Sequence, residues 1–233
     1  ILQIILTGIT AMSTQKNIFL SSEGDEWYKR NLSAIENKKE EDPVLKIMAL
    51  YDSTPKKTLE IGCSNGWRLS GLEKATHSQC FGIDPSAQAI EDGKEKYPHI
   101  QLKIGSADEI PFTKNMFDCV IIGYCLYLCD RDDLFKIAYE VDRVLQDNGI
   151  VVIYDFCTEI PYYNRYQYHD NIQSFKMAYA KLFTWNPFYR TICSINMNYN
   201  KSLSLEIPKD DQINITLLKK DKKNAYIMNP YVY

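Results

Sequence analysis

From residue 57 onward the chain alternates short apolar runs with stretches of helical periodicity. The runs, at residues 58–61, 80–83, 100–104, 117–123 and 149–156, each have the length of a strand. Helical stretches at 69–74, 87–96 and 134–145 separate or follow them. In the last, Leu134, Ile137, Ala138, Val141, Val144 and Leu145 recur at spacings that build one apolar face. Strands and helices alternating at this interval predict crossover connections and a parallel sheet covered on both sides. Two further β-rich runs, 191–199 and 213–219, suit an antiparallel pair closing the sheet edge, for seven strands in all. Ahead of the sheet, residues 22–52 read as helical. There Tyr28, Leu32 and Ile35 fall at i, i+4 and i+7 as a core stripe, and Trp27, Arg30 and Asn31 form the neighbouring face.

These patterns describe one α/β domain over residues 12–233: a helical cap at 22–52, a core at 55–156, an insertion at 157–190 and sheet-closing strands at 191–233. A length of 233 residues agrees with one large domain. Residues 1–11 are read as upstream sequence, because Met12 is followed by a polar Ser-Thr-Gln-Lys stretch. The apolar start is broken by Gln3, Thr7 and Thr10 and falls short of the ~20 residues a membrane span needs, so no membrane partner is expected. The insertion is chemically distinctive, since residues 154–189 hold 12 of the chain's 29 aromatic residues.

Composition narrows the class. With 45% apolar residues and only 10 Gly and 9 Pro, a disordered or collagen-like chain is excluded. A net charge of -3 provides no global field for a nucleic-acid partner. Seven cysteines without a CxxC pair give no zinc ribbon or redox dithiol and suit a reducing cytoplasm.

Candidate chemistry centres on Thr58-Leu59-Glu60-Ile61-Gly62-Cys63-Ser64-Asn65-Gly66, a strand running into a glycine turn and then a helix. Glycines there let backbone approach a ligand closely. A dinucleotide fingerprint would place glycines at 62, 64 and 67, but Ser64 and Trp67 hold the last two positions, and no Gly-Lys-Ser/Thr follows to make a P-loop. The acid followed by Gly62-Cys63-Ser64-Asn65-Gly66 resembles the first motif of class I S-adenosylmethionine-dependent methyltransferases, with Ser64 replacing a middle glycine. Asp84, in Gly82-Ile83-Asp84-Pro85-Ser86, ends the second strand, where its two oxygens can accept both ribose hydroxyls; it resembles the family's ribose-binding acid. Gly105-Ser106-Ala107-Asp108-Glu109-Ile110-Pro111-Phe112 and the run 116–121 are similar to the family's adenine-side motif and fourth strand, in the subgroup that includes ubiquinone-biosynthesis methyltransferases. Residues 143–153 resemble the approach to its fifth strand. The resemblance covers residues 55–156.

The resemblance implies a Rossmann-like, seven-stranded, mostly parallel sheet with helices on both faces, a helical N-terminal cap and an aromatic insertion after the fifth strand. It implies S-adenosyl-L-methionine as cofactor, with contacts from Glu60, Gly62, Cys63, Asn65, Gly66, Asp84, Pro85, Ser86, Ala107 and Asp108, and from Trp27 and Arg30 of a lidding helix; Gly123 and Tyr124 join them because they end the fourth strand, where open parallel sheets bind ligands. Glu60 either touches the ligand or orients the loop's amides. The acceptor is expected against Tyr28, Tyr127, Tyr166 and Tyr168, with His169 as candidate base and Tyr168 beside it; the alternative for His169 is a loop residue. Asp130, Asp132 and Asp133 precede the helix at 134 and are read as its caps rather than a metal cluster, so no metal is expected. The expected reaction is methyl transfer to a small polar acceptor, a sugar or nucleotide-sugar, on oxygen or nitrogen. Competing readings are a peptide or protein side-chain acceptor, a catalytically inactive partner subunit, and a nucleotide-dependent oxidoreductase or epimerase.

Overall fold

The computed structural model describes residues 14–37, 42–51, 53–200, 203 and 206–231; residues 1–11 lie outside them. Helical structure begins earlier than the sequence pattern predicts. Helix α1 (Gln15–Ile18) passes through a π-helical turn, Phe19–Glu23, into α2 (Gly24–Asn37), and α3 (Pro43–Leu50) follows. Asp42 caps α3 by accepting from Val44 N and Leu45 N, with Pro43 at the first helical position.

The core then alternates as expected. Strand β1 (Lys57–Ile61) leads to α4 (Trp67–Thr76), β2 (Gln79–Asp84) to α5 (Ala87–Lys96), and β3 (Gln101–Ile104) to β4 (Phe117–Gly123). Helix α6 (Leu134–Val144) precedes β5 (Leu145–Phe156). The insertion forms a hairpin, β6 (Tyr162–Arg165) with β7 (Gln173–Lys176), and a short α7 (Lys181–Thr184). Strands β8 (Tyr189–Met197) and β9 (Ile213–Lys220) finish the chain's regular structure. The sheet order is β3-β2-β1-β4-β5-β9-β8, parallel from β3 to β5, with β9 antiparallel to β5 and β8 antiparallel to β9. This is the Rossmann-like sheet of seven strands.

Both faces are covered, which explains the continuous apolar runs of the central strands. Val120, Ile122, Val151 and Ile153 face α6, where Ile137, Val141 and Val144 pack. Cys119, Ile121 and Val152 face the other side, with Val44, Ile47, Leu69 and Leu72 of α3 and α4. Much of the aromatic segment is spent on packing: Tyr179, Phe183 and Tyr189 are buried in the α6 layer, while Tyr163 and Trp185 are exposed.

The aspartates before α6 differ from expectation. Neither Asp130 nor Asp133 makes a side-chain capping bond at the helix they precede. Asp130 instead accepts from the backbone of the distant α1, Gln15 N at 3.0 Å and Lys16 N at 2.9 Å, and Asp133 pairs with Lys16. Four residues of helix offer too few internal hydrogen bonds to form alone, and this carboxylate supplies the acceptor for their unsatisfied N–H groups.

Candidate active site

The strand order reverses between β1 and β4, so the loops leaving their carboxyl ends diverge and open a crevice. The loop after β1 turns in the left-handed region three times, at Gly62 (φ 72°), Ser64 (φ 51°) and Gly66 (φ 79°). A Cβ on Gly62 would stand 2.8 Å from Cys125 Cβ, so the turn lies hard against the loop after β4. Ser64 adopts the same kind of conformation at a cost that glycine would avoid. Its amide donates to Asp84 Oδ2 at 2.8 Å, and Ser86 N donates to Asp84 Oδ1 at 2.9 Å. Burial pushes the Asp84 carboxyl up to about 6 despite those two donors.

Over this loop lies a cavity of about 670 Å³. Of the expected residues, Gly62, Asp84, Pro85, Ala107 and Asp108 line one part of it, and Gly123, Tyr124 and Tyr127 another. Trp27 and Arg30 of α2 with Tyr166 and Tyr168 of the insertion complete the wall. Three of these, Arg30, Tyr166 and Tyr168, are joined by contacts across the chain. Arg30 Nη2 donates to Glu23 and, at 3.0 Å, to Tyr166 Oη, while its guanidinium stacks 4.0 Å from the Tyr168 ring centroid. Gly24 belongs to the same contact: a Cβ there would meet Phe19 O at 2.7 Å and Ser86 N at 3.1 Å, so only glycine lets the cap approach the β2–α5 turn.

The remaining expected residues are not among those lining the cavity. Cys63 is buried, and its Sγ fills the space a Cβ on Gly82 would take. Asn65 Nδ2 donates to Asp92 Oδ2 at 2.8 Å and to Tyr28 Oη at 3.2 Å, tying the loop to α5 and α2. Tyr28 is held in that network and in a small apolar cluster with Ile35 and Ala89, off the cavity wall. Gly66 starts α4, and Ser86 caps α5 by accepting from Ala89 N at 3.0 Å. His169 stands in the turn between β6 and β7, where its Nδ1 accepts from Asn171 N at 3.2 Å.

Glu60 is also not among the lining residues. It is buried against Arg68 Nη1, and Arg68 Nε donates to Asp42 Oδ1 at 3.0 Å, so one guanidinium joins β1, α4 and the start of α3. Burial pushes the Glu60 carboxyl up to about 7, which Arg68 only partly offsets. Arg68 and Asp42 reach the cavity wall, and the absent side chain of Gly123 makes room for the guanidinium, whose Nη1 lies 2.8 Å from where a Cβ would be.

Sequence reasoning missed several lining residues: Lys16, Asp42, Trp67, Arg68, Tyr154, Phe156 and Tyr199. Tyr154 pairs with Gly123 across β5 and β4, so the logic that marked the end of the fourth strand applied equally to the end of the fifth. Around that point the rings of Tyr124, Tyr127, Tyr154 and Phe156 meet edge to face, with Tyr124 and Tyr154 centroids 4.7 Å apart. At the opposite end Asp108 accepts from Lys16 Nζ at 2.7 Å and Lys136 Nζ at 3.0 Å. Burial would raise its carboxyl, but hydrogen bonds from Lys16, Ser106 and Lys136 outweigh it and hold the group at about 2.

Residues 59–153 match the family model of the methyltransferase domain. Over these residues the chain is similar to a methyltransferase domain, and its fold is the class I fold. An uncharacterized methyltransferase of Alkaliphilus oremlandii is 32% identical to the chain over 117 residues, which are 50% of this chain and 53% of that protein. A demethylmenaquinone methyltransferase of Staphylococcus aureus is 36% identical over 114 residues, 47% of this chain and 46% of that one. The chain thus spans about half the length of these curated relatives. Among solved structures, the 1,6-didemethyltoxoflavin-N1-methyltransferase of Burkholderia thailandensis superposes with a TM-score of 0.65 at 15% identity, covering 89% of this chain and 87% of that one. The cofactor of this domain family is S-adenosylmethionine, and the site's construction fits it. A glycine cradle at Gly62 that a Cβ would fill, and a carboxylate at the β2 end with its oxygens already oriented by two amides, are features that accommodate a nucleoside.

Proposed function

We propose that this chain transfers a methyl group from S-adenosylmethionine to a small acceptor held against the ring-lined wall at the ends of β4 and β5. One observation carries the reading: a single cavity runs from the Asp84 and Asp108 carboxylates to the rings of Tyr124, Tyr127, Tyr154 and Phe156. Asp84 is the residue to accept the ribose hydroxyls, Ala107 and Asp108 flank the adenine, and Trp27 and Arg30 cover the site. The sulfonium supplies an already activated methyl, so the chain's own task is to exclude water and align the nucleophile. Tyr127 is kept in line by Asp155, which accepts from Leu126 N at 3.0 Å and Tyr127 N at 3.4 Å. No described helix is long and apolar enough to cross a membrane.

The acceptor is best read as a ring-bearing small molecule. The relatives' names include quinone methyltransferases and the structural neighbour's a heterocyclic N-methyltransferase, and the aromatic wall suits a flat ring. That support favours a ring over the sugar expected from sequence, and no step is assigned to His169.

Calorimetric titration with S-adenosylhomocysteine tests the cofactor site. The wild-type chain should bind it, and Asp84→Ala should bind at least about tenfold more weakly, since hydrogen bonds to a charged acceptor are each worth roughly 1.5–3 kcal/mol. An Asp84→Ala affinity within about threefold of wild type would remove Asp84 from the ribose site.

A further inference from the structure

We propose that the acceptor's ring is clamped between Phe156 and Tyr199, which makes this pair the determinant of a flat, unsaturated acceptor. The assignment rests on the methyl-transfer reading above. Both rings line the cavity. Their planes lie within 8° of parallel with centroids 6.2 Å apart, and among the described residues they are the single stacked aromatic pair. Every other ring contact on this wall is steep: 69° for Tyr124 with Tyr154, 73° for Tyr124 and for Tyr127 with Phe156, and 86° for Tyr124 with Tyr127. Edge-to-face rings make a closed floor, whereas parallel rings make jaws.

The two jaws are unequally held. Phe156 ends β5, with β9 paired along it, and has the Lys176 ammonium 4.3 Å from its centroid. Lys176 is itself buried and donates to Asp210 O at 2.6 Å and Asp210 Oδ1 at 2.7 Å, so the support behind Phe156 is fixed. Tyr199 lies two residues past the end of β8 and is 59% exposed. A ring inserted between two others needs about 7 Å from plane to plane, two contacts at ~3.5 Å each, which exceeds the 6.2 Å between these centroids, so Tyr199 has to swing outward by at least about an ångström. Its exposed position allows that movement. A saturated ring is thicker and offers no π face to either jaw, and it forfeits the stacking contribution.

The test uses the full chain saturated with S-adenosylhomocysteine and two probes of one carbon skeleton, 2-naphthol and decahydro-2-naphthol, titrated by calorimetry into wild type, Tyr199→Phe and Tyr199→Leu. Wild type and Tyr199→Phe should favour the flat probe by roughly five- to tenfold. Tyr199→Leu keeps apolar bulk but loses the ring, and should bring the preference below about twofold with S-adenosylhomocysteine affinity unchanged. Equal affinities in wild type, no binding of 2-naphthol, or an undiminished preference in Tyr199→Leu would overturn the clamp. Failure of wild type to bind S-adenosylhomocysteine would instead overturn the methyl-transfer reading, and the clamp with it.

Discussion

Ser64 carries two costs in one side chain. Its φ of 51° puts a Cβ where L-residues are disfavoured, and its buried Oγ has no hydrogen-bond partner in the structure. The left-handed conformation costs about 1–2 kcal/mol and an unsatisfied buried hydroxyl about 1–3 kcal/mol. Glycine removes both, at the expense of about 0.4–1 kcal/mol of extra unfolded-state freedom. Relief is the larger effect, so Ser64→Gly should stabilise the chain by about 1 kcal/mol or more in urea denaturation. A destabilised Ser64→Gly would mean that the serine makes an interaction worth more than its strain. Gly62 stands in the same region of backbone space but with Cys125 Cβ 2.8 Å from its missing Cβ, so Gly62→Val should either displace the β4 loop or fail to fold, and a soluble variant should lose S-adenosylhomocysteine affinity.

At the scale of elements, the cap is held by side chains remote from it in sequence. Asp130 takes two backbone N–H groups of α1, and Gln15 Nε2 donates to Leu128 O at 2.8 Å and to Gln173 O at 3.2 Å. Because α1 has only four residues, its order depends on these anchors rather than on helix propensity. Asp130→Ala leaves two donors without their acceptor, a local loss of about 1–3 kcal/mol. Hydrogen exchange of residues 15–23 should accelerate accordingly while β4 and β5 keep their protection. Unchanged exchange in the cap would show that apolar contacts of Ile18 and Phe19 with Leu128 and Tyr166 hold it instead.

Across the whole molecule, buried carboxyls set the response to pH. Burial raises Glu60 and Asp155 to about 7 and Asp84 to about 6. Each folded-state value lies above the ordinary carboxyl range of about 4, so between about pH 4 and 7 the folded chain holds protons that the unfolded chain has released. More protons bound in the folded state means that stability falls as pH rises through this window. Asp108 and Asp210, held at about 2, act in the opposite sense, but their contribution is complete above about pH 4 and is lost only on further acidification. The melting temperature should therefore be several degrees higher near pH 5.5 than near pH 8, and Asp155→Asn should flatten the difference. A melting temperature that climbs over that interval would show these groups ionised without penalty.

The order of strands and helices was legible in the chain itself, because hydrophobic period is a local property. Helix α5 and strand β4 occur at the residues where the period placed them, and Gly62, Asp84 and Asp108 stand at strand ends that the sheet topology converts into one crevice. What only the tertiary structure decided are pairings between distant residues. Asp130 looked like a cap for the adjacent helix, since neighbours in sequence are the partners a sequence displays, yet its carboxylate serves α1 from 115 residues away. Arg68, on a helix face that reads as ordinary, is drawn between Asp42 and Glu60 because burying one charge requires others beside it. His169, beside an aspartate in sequence, is placed in a hairpin turn that uses its ring for backbone bonding. Tyr199 reaches the cavity because β8 and β9 return beside β5, a closure that sequence period predicts without saying which side chain it delivers to the site.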